Sequence, residues 1–232
     1  MGPVGVSAVI LAAGQGQRMG TEINKPYLLL HGLPIVYYSL ARFGGSLLID
    51  EIVVVVRESE VTHVQERVLE KHAFDKSIKV VGGGLERQDS VYEGVCATKS
   101  EYILVHDGVR PFFSSVLLSR LIEAVKTYDA VIPVLRSSDT LSQVNQEGLI
   151  ERELDRHQIV RAQTPQAFRY GLIRESLEKA RRDGKKFTDE AGAVLAMSGV
   201  HPKIIEGEEW NIKITTPWDL QLAECLGRIL LV

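Results

Sequence analysis

The feature that most limits how this chain can fold is the alternation of short, nearly all-apolar runs with segments of helical spacing. The apolar runs fall at residues 7–12, 51–56, 77–81, 102–106 and 130–134. A half-exposed strand alternates polar and apolar side chains; Ile52-Val53-Val54-Val55-Val56 does not, so both of its faces must be covered. Helical patterns fill the gaps at 34–43, 59–72, 88–98, 114–128 and 216–227. Gly44 follows the first of these as an αL stop, and Val61, Val64, Val68 and Leu69 give the second its apolar face. The last opens on Thr216-Pro217-Trp218-Asp219, an N-cap, a proline and an acid in the first turn. Strands and helices in this order predict an α/β fold with a mainly parallel sheet between two helical layers.

One stretch breaks the alternation. Residues 140–144 and 149–154 read as extended strands around the polar turn Asn145-Gln146-Glu147-Gly148, a hairpin instead of a βα unit. A lone ribbon is marginal in water, so it must pack on the body of the chain or on a second copy, and the second copy is the expected partner. The chain is read as one domain over 1–232 with a hairpin arm inserted at about residues 137–157.

Composition bounds the function. With 232 residues, 45% hydrophobic and 25% charged, the chain can bury a proper core. A net charge of −3 argues against a general nucleic-acid binder. The apolar runs are far shorter than the roughly 20 residues that span a bilayer, and the first starts too near the N-terminus for a cleavable signal. A cytoplasmic protein without a membrane partner is expected. Cys96 and Cys225 stand apart, without Cys-x-x-Cys or clustered His, so neither a disulfide framework nor a zinc site is supported; both are expected to be buried in helices.

The first strand runs into Leu11-Ala12-Ala13-Gly14-Gln15-Gly16-Gln17-Arg18-Met19-Gly20. Loops here lie at the carboxyl edge of such sheets, where ligands bind, and glycines let backbone N–H groups face phosphate oxygens. Met19 stands where a dinucleotide fingerprint needs its third glycine, and a P-loop's Gly-Lys-Ser/Thr is missing. What marks the loop is its cationic content, Arg18 within it and Lys25 shortly after.

Residues 11–19 with Lys25 resemble the signature of nucleotidyltransferases that activate sugar and alditol phosphates. Five further segments narrow the resemblance: Glu86-Arg87-Gln88-Asp89-Ser90, His106-Asp107-Gly108-Val109-Arg110-Pro111, Gln163-Thr164-Pro165-Gln166, Thr188-Asp189-Glu190-Ala191 and Asn211-Ile212-Lys213-Ile214-Thr215. In this order along the whole chain they resemble the 2-C-methyl-D-erythritol 4-phosphate cytidylyltransferase family. The resemblance implies a Rossmann-like three-layer nucleotidyltransferase fold and a Mg²⁺-dependent reaction, in which CTP and methylerythritol phosphate give CDP-methylerythritol and pyrophosphate. It also implies a homodimer whose hairpin arm completes the neighbour's site.

A phosphate monoester attacking the α-phosphorus of CTP brings two anions together, so cations are the main requirement. The nucleophile is already mostly ionised at neutral pH and needs no side-chain base. With the whole chain at −3, attraction must come from a local cluster, and the positions to examine are Arg18, Lys25, Arg156 and Lys213. By resemblance Arg18 and Lys25 hold the triphosphate and stabilise the leaving pyrophosphate. Ala12, Ala13, Gly14, Gly16, Gly83 and Ser90 surround the nucleotide, and Asp107 meets both CTP and Mg²⁺. Thr140, Arg156, Thr164, Thr188 and Lys213 meet the acceptor, with Thr140 and Arg156 acting from the partner subunit. Other roles compete. Asp107 can cap its loop, Arg110 can pair with Asp107 or reach phosphate, and Thr188 can serve as a helix N-cap. His106, on the alternate face, is read as structural.

The chain departs from the family pattern at Asn24-Lys25-Pro26-Tyr27, at Leu85, where an acid is usual, and at Val160, where an aromatic is usual. Two rivals remain: a ribitol-phosphate cytidylyltransferase of the same superfamily, and a non-catalytic nucleotide-binding regulatory protein.

Overall fold

The structure is a computed structural model and describes residues 5–14 and 24–230. Along the chain run β1 (Val6–Leu11), the two-residue strands β2 (Leu29–Leu30) and β3 (Leu33–Pro34), α1 (Ile35–Gly44), β4 (Glu51–Val56), the short α2 (Val61–Val64), β5 (Ile78–Gly82) and α3 (Arg87–Cys96). Then come β6 (Tyr102–Asp107), α4 (Ser115–Tyr128), β7 (Ala130–Arg136), β8 (Leu141–Val144), β9 (Ile150–Leu154), β10 (Val160–Ala162) and β11 (Gln166–Arg169). The chain closes with α5 (Tyr170–Arg182), α6 (Glu190–Ser198), β12 (Lys203–Glu206) and α7 (Pro217–Leu230).

Among the described residues, eight strands form one sheet in the order β10-β7-β11-β6-β1-β4-β5, with β12 on the other edge of β7. β5, β4, β1 and β6 run parallel, while β11 is antiparallel to both β6 and β7. The all-apolar strands are covered on both faces, as their sequence requires. Ala8, Ile10, Ile52, Val54 and Leu104 join α1 and α4 in one core; Val9, Val53, Val55, Ile103 and Val105 join α3, α5 and α6 in the other. A third cluster of Leu30, Ile35, Phe112, Ile214 and Ala223 seats α7 beside β2 and β3. Among the described residues the strands β8 and β9 pair only with each other, in the expected hairpin.

Several local expectations are corrected. Helix α1 runs through Gly44, and the following Gly45 is right-handed at φ −73°, so no αL stop is used. The segment 59–72 is no single helix but a 3₁₀ turn, one α turn and a π segment that stops at Leu69. Cys96 and Cys225 do lie on α3 and α7, yet both are exposed, because each falls on the face turned away from the core. The N-cap of α6 is Asp189, whose carboxylate accepts from Gly192 N at 2.9 Å, and not Thr188. The helix α7 begins as read: Thr216 Oγ1 accepts from Asp219 N while Asp219 accepts from Thr216 N, a reciprocal capping pair.

Candidate active site

β1 and β6 end side by side, with Leu11 paired to Asp107, and a cavity of about 590 Å³ opens at that carboxyl edge. Among the described residues its wall is made by Leu11, Ala13 and Gly14 at the end of β1, Lys25 and Pro26, residues 84–87 and Ser90 at the start of α3, Asp107 and Val109 at the end of β6, and residues 213–215. Open α/β sheets bind ligands at this place because the loops diverge there.

Charge is concentrated around one carboxylate. Asp107 is buried, with Lys213 Nζ 2.8 Å from Oδ2, Arg87 Nη2 3.1 Å from Oδ1 and Arg110 Nε 3.6 Å from Oδ2. Burial alone would raise its carboxyl; Arg87, Lys213 and Arg110 outweigh that and hold it far below the ordinary carboxylate range. Arg87 also grips Glu190, buried under α6, at 2.5 and 3.2 Å. Burial pushes the Glu190 carboxyl up, against the opposing pull of Arg87. Among the described residues that line the cavity, the cations Lys25, Arg87 and Lys213 stand against the carboxylates Glu86 and Asp107, and this excess of positive charge favours an anionic ligand. Arg110 is committed to Asp107 and to Asn211 O at 2.7 Å.

The backbone behind Asp107 is fixed by two neighbours. Thr164 Oγ1 accepts from Asp107 N at 3.1 Å and meets His106 Nδ1 at 3.1 Å; His106 Nε2 lies 3.0 Å from Arg110 O, which can only accept. The ring therefore carries its proton on Nε2, and Thr164 donates to Nδ1. Burial brings the His106 pKa down to about 3, so it stays neutral, wedged between Phe43 and Phe113. His106 is structural, and the Thr164 hydroxyl lies behind Asp107 instead of on the cavity wall.

Glycines are required on the α3 side. A Cβ on Gly83 would stand 2.6 Å from Ser90 Oγ and 3.1 Å from Ala13, and one on Gly84 would stand 2.3 Å from Asp89 Cβ. The loop thus closes onto Ala13 and the first turn of α3, where Ser90 is buried and Oγ donates to Glu86 O at 3.2 Å. Leu85 is 97% exposed at the rim.

The structure brings Ala13, Gly14, Lys25, Ser90, Asp107 and Lys213 to one cavity, with Ala12 and Gly83 packed behind its wall. Gly16 and Arg18 lie outside the described residues. Thr140 and Arg156 sit on the arm, exposed and off the cavity, with Arg156 Nη1 donating to Ser138 O at 2.8 Å; Thr188 is exposed just before α6. From sequence Arg87 has no role, and Glu190 only that of an acid in the first turn of its helix. The available signal was an arginine in the first turn of a helix, where the macrodipole disfavours cations unless a partner holds them.

Comparison with known proteins places this geometry. A family model described as "IspD: 2-C-methyl-D-erythritol 4-phosphate cytidylyltransferase" matches residues 6–228. The 2-C-methyl-D-erythritol 4-phosphate cytidylyltransferase of Geobacter metallireducens is 44% identical over 226 residues, covering 94% of this chain and 96% of that one. The enzyme of the same name from Lachnoclostridium phytofermentans is 41% identical over 225 residues, with 96% of each covered. The crystal structure of the 4-diphosphocytidyl-2C-methyl-D-erythritol synthase of Anaerococcus prevotii superposes with a TM-score of 0.85 at 32% identity, covering 97% of this chain and 96% of that one. The fold, the cavity at the β1 and β6 edge and these matches together make the chain a member of the 2-C-methyl-D-erythritol 4-phosphate cytidylyltransferase family.

Proposed function

We propose that this chain, as a single domain with an inserted arm, catalyses cytidylyl transfer with the cavity residues in the following roles. The phosphate oxygen of methylerythritol 4-phosphate attacks the α-phosphorus of CTP; one P–O bond forms, the bond to the β-phosphate breaks, and pyrophosphate leaves with the electron pair. The observation that carries the reading is the excess of cations around buried Asp107, in a cavity that Lys25 also lines. Lys25 faces the triphosphate, a role the family resemblance also implies for Arg18, which lies outside the described residues, and Lys213 faces the transferred phosphoryl and the acceptor phosphate. Preorganised charge of this kind lowers the barrier by about 3–4 kcal/mol per donor. Gly14 and Gly84, which line the cavity, let the nucleotide approach the backbone.

Among the described residues no three His, Cys, Asp or Glu side chains converge to hold a metal by themselves. That fits Mg²⁺, which binds through one or two carboxylates and takes its remaining ligands from substrate phosphates and water. Asp107 is the residue that would hold it. When bound, the ion supplies charge neutralisation across the phosphates. Among the described residues no helix is long and apolar enough to cross a membrane.

The arm reaches, in this reading, a second copy, bringing Thr140 and Arg156 to the partner's acceptor. Val144, Leu149 and Ile150 are 57%, 61% and 71% exposed on it, which supports a covered state. The test is pyrophosphate release from CTP and Mg²⁺ with methylerythritol 4-phosphate or ribitol 5-phosphate as acceptor. Release with the first acceptor is expected. Release only with the second overturns the acceptor, and CTP binding without release with either overturns the enzyme.

A further inference from the structure

Arg57 and Glu60, three residues apart just beyond β4, reach Ala13 and Gly14 on one side and Asn24 and Tyr27 on the other. Arg57 Nε and Nη2 donate to Ala13 O and Gly14 O, each at 3.4 Å. Glu60 Oε1 accepts from the Asn24 side-chain amide and Oε2 from the Tyr27 hydroxyl at 3.1 Å, with Arg57 Nη1 3.9 Å from Oε1. Between Asn24 and Tyr27 lie Lys25 and Pro26, both buried in a three-residue 3₁₀ turn. The Asn24 side chain makes no cap bond to that turn, its amide being held by Glu60. Lys25 Nζ crosses the cavity wall to Thr215 O at 2.8 Å. Burial, and then Glu60, push the Tyr27 hydroxyl far above its ordinary range, so it remains a donor at any working pH. Among the described residues lining the cavity, Glu60 is not one.

We propose that Glu60 is a positioning residue for triphosphate binding: by holding Asn24 and Tyr27 it fixes the Lys25 turn against the cavity, while Arg57 holds the carbonyls of Ala13 and Gly14. The inference rests on the CTP reading above. Small displacements of a charge from the reacting phosphates have large kinetic consequences, so a side chain that never touches the nucleotide controls how well it is held.

The test compares the wild type with Glu60→Ala, Glu60→Gln and Tyr27→Phe by calorimetric CTP binding, steady-state KM for each substrate, and thermal unfolding. Glu60→Ala is expected to raise the CTP Kd and KM about tenfold and lower kcat, leaving the acceptor KM within about twofold. Glu60→Gln, which keeps an oxygen toward Tyr27 but turns an amide nitrogen toward the Asn24 amide, should recover only part of that loss, and Tyr27→Phe should show a smaller one. A Glu60→Ala protein with wild-type CTP binding, or with both substrates weakened equally, overturns the proposal. If Glu60→Ala does not fold, Tyr27→Phe and Asn24→Ala are each expected to raise the CTP Kd severalfold while leaving the acceptor KM within about twofold, and wild-type CTP binding in both overturns the proposal. A wild type that binds CTP without turnover overturns the reaction assignment alone, and the CTP Kd values then decide the role of Glu60.

Discussion

Arg87, the first residue of α3, holds Glu190, the first residue of α6, through two guanidinium nitrogens at 2.5 and 3.2 Å across 103 positions of sequence. The same guanidinium reaches Asp107, so the starts of α3 and α6 and the end of β6 share one ion-pair cluster. Burial would lower the Arg87 pKa, but Glu190 and Asp107 outweigh it and raise it, so the guanidinium never loses its proton.

Removing that guanidinium strands a carboxylate that is 2% exposed. Breaking one side of a buried pair costs about 3–5 kcal/mol, and the lower end applies here because the Arg87 side chain is 33% exposed. Arg87→Met should therefore lose about 3 kcal/mol in urea unfolding at neutral pH. Glu190→Gln, which leaves a neutral acceptor in place, should lose about 1 kcal/mol. An Arg87→Met protein as stable as the wild type would show that water, not Arg87, satisfies Glu190.

Lys213 Nζ stands 2.8 Å from Asp107 on the cavity wall, where a transferring phosphoryl would meet it. Lys213→Met is expected to lower kcat by about 10²–10³, more than it raises the KM for CTP, since its charge acts most on the transition state. Lys213→Arg should restore only part, because a planar fork does not replace a compact ammonium. Single-turnover rates with saturating CTP decide this; an unchanged rate constant would remove Lys213 from the chemistry.

Asp219 ties α7 to the segment that carries Lys213. One oxygen accepts from Thr215 N, Thr216 N and Thr215 Oγ1, each at 2.8 Å, and Thr215 O is the acceptor for Lys25. Burial would raise the Asp219 carboxyl, but these hydrogen bonds lower it on balance. A carboxyl depressed in the fold contributes stability above its unfolded pKa near 3.8 and loses it as pH falls below that value. Asp219→Ala should cost about 1–2 kcal/mol at pH 7, as for other caps, and the gap to wild type should narrow below about pH 4. A gap independent of pH would mean that packing, not the charged cap, was lost.

How much of this was legible follows from what each element must bury. β1, β4 and β6 announced themselves because a strand covered on both faces has no polar alternation to blur it. β12 was missed: Lys203-Ile204-Ile205-Glu206 is a four-residue edge strand, largely exposed, and carries no such run. Helix α5 does carry the signal, since Ile173, Leu177 and Ala180 recur at helical spacing, but its many charges lowered the contrast. Within the site, Lys25, Asp107 and Lys213 were readable as cations and a carboxylate at strand or loop ends. The Arg87–Glu190 pair was not, because a contact between two helix starts leaves no periodic trace. The exposure of Cys96 and Cys225 was equally hidden, since a helix position says nothing of the face until the partner layer is known.

The arm gives the sharpest test of assembly. Among the described residues β8 and β9 pair only with each other, and their apolar side chains Val144 and Ile150 stand in the open, so a second copy is the proposed cover. If Arg156 acts in the neighbour's site while Lys213 acts in its own, Arg156→Ala and Lys213→Ala each disable every site in their own homodimers. Mixed by unfolding and refolding together, they form heterodimers in which one site joins an intact body to an intact arm and the other joins two damaged parts. Random pairing makes about half of all dimers mixed, each with one good site, so about a quarter of wild-type activity should return. Ile150→Asp in both chains should abolish that recovery and shift the sedimentation coefficient toward a monomer. Should the mixture stay as inactive as its parents while remaining dimeric, Arg156 serves the body of its own chain and the exchange of arms is wrong.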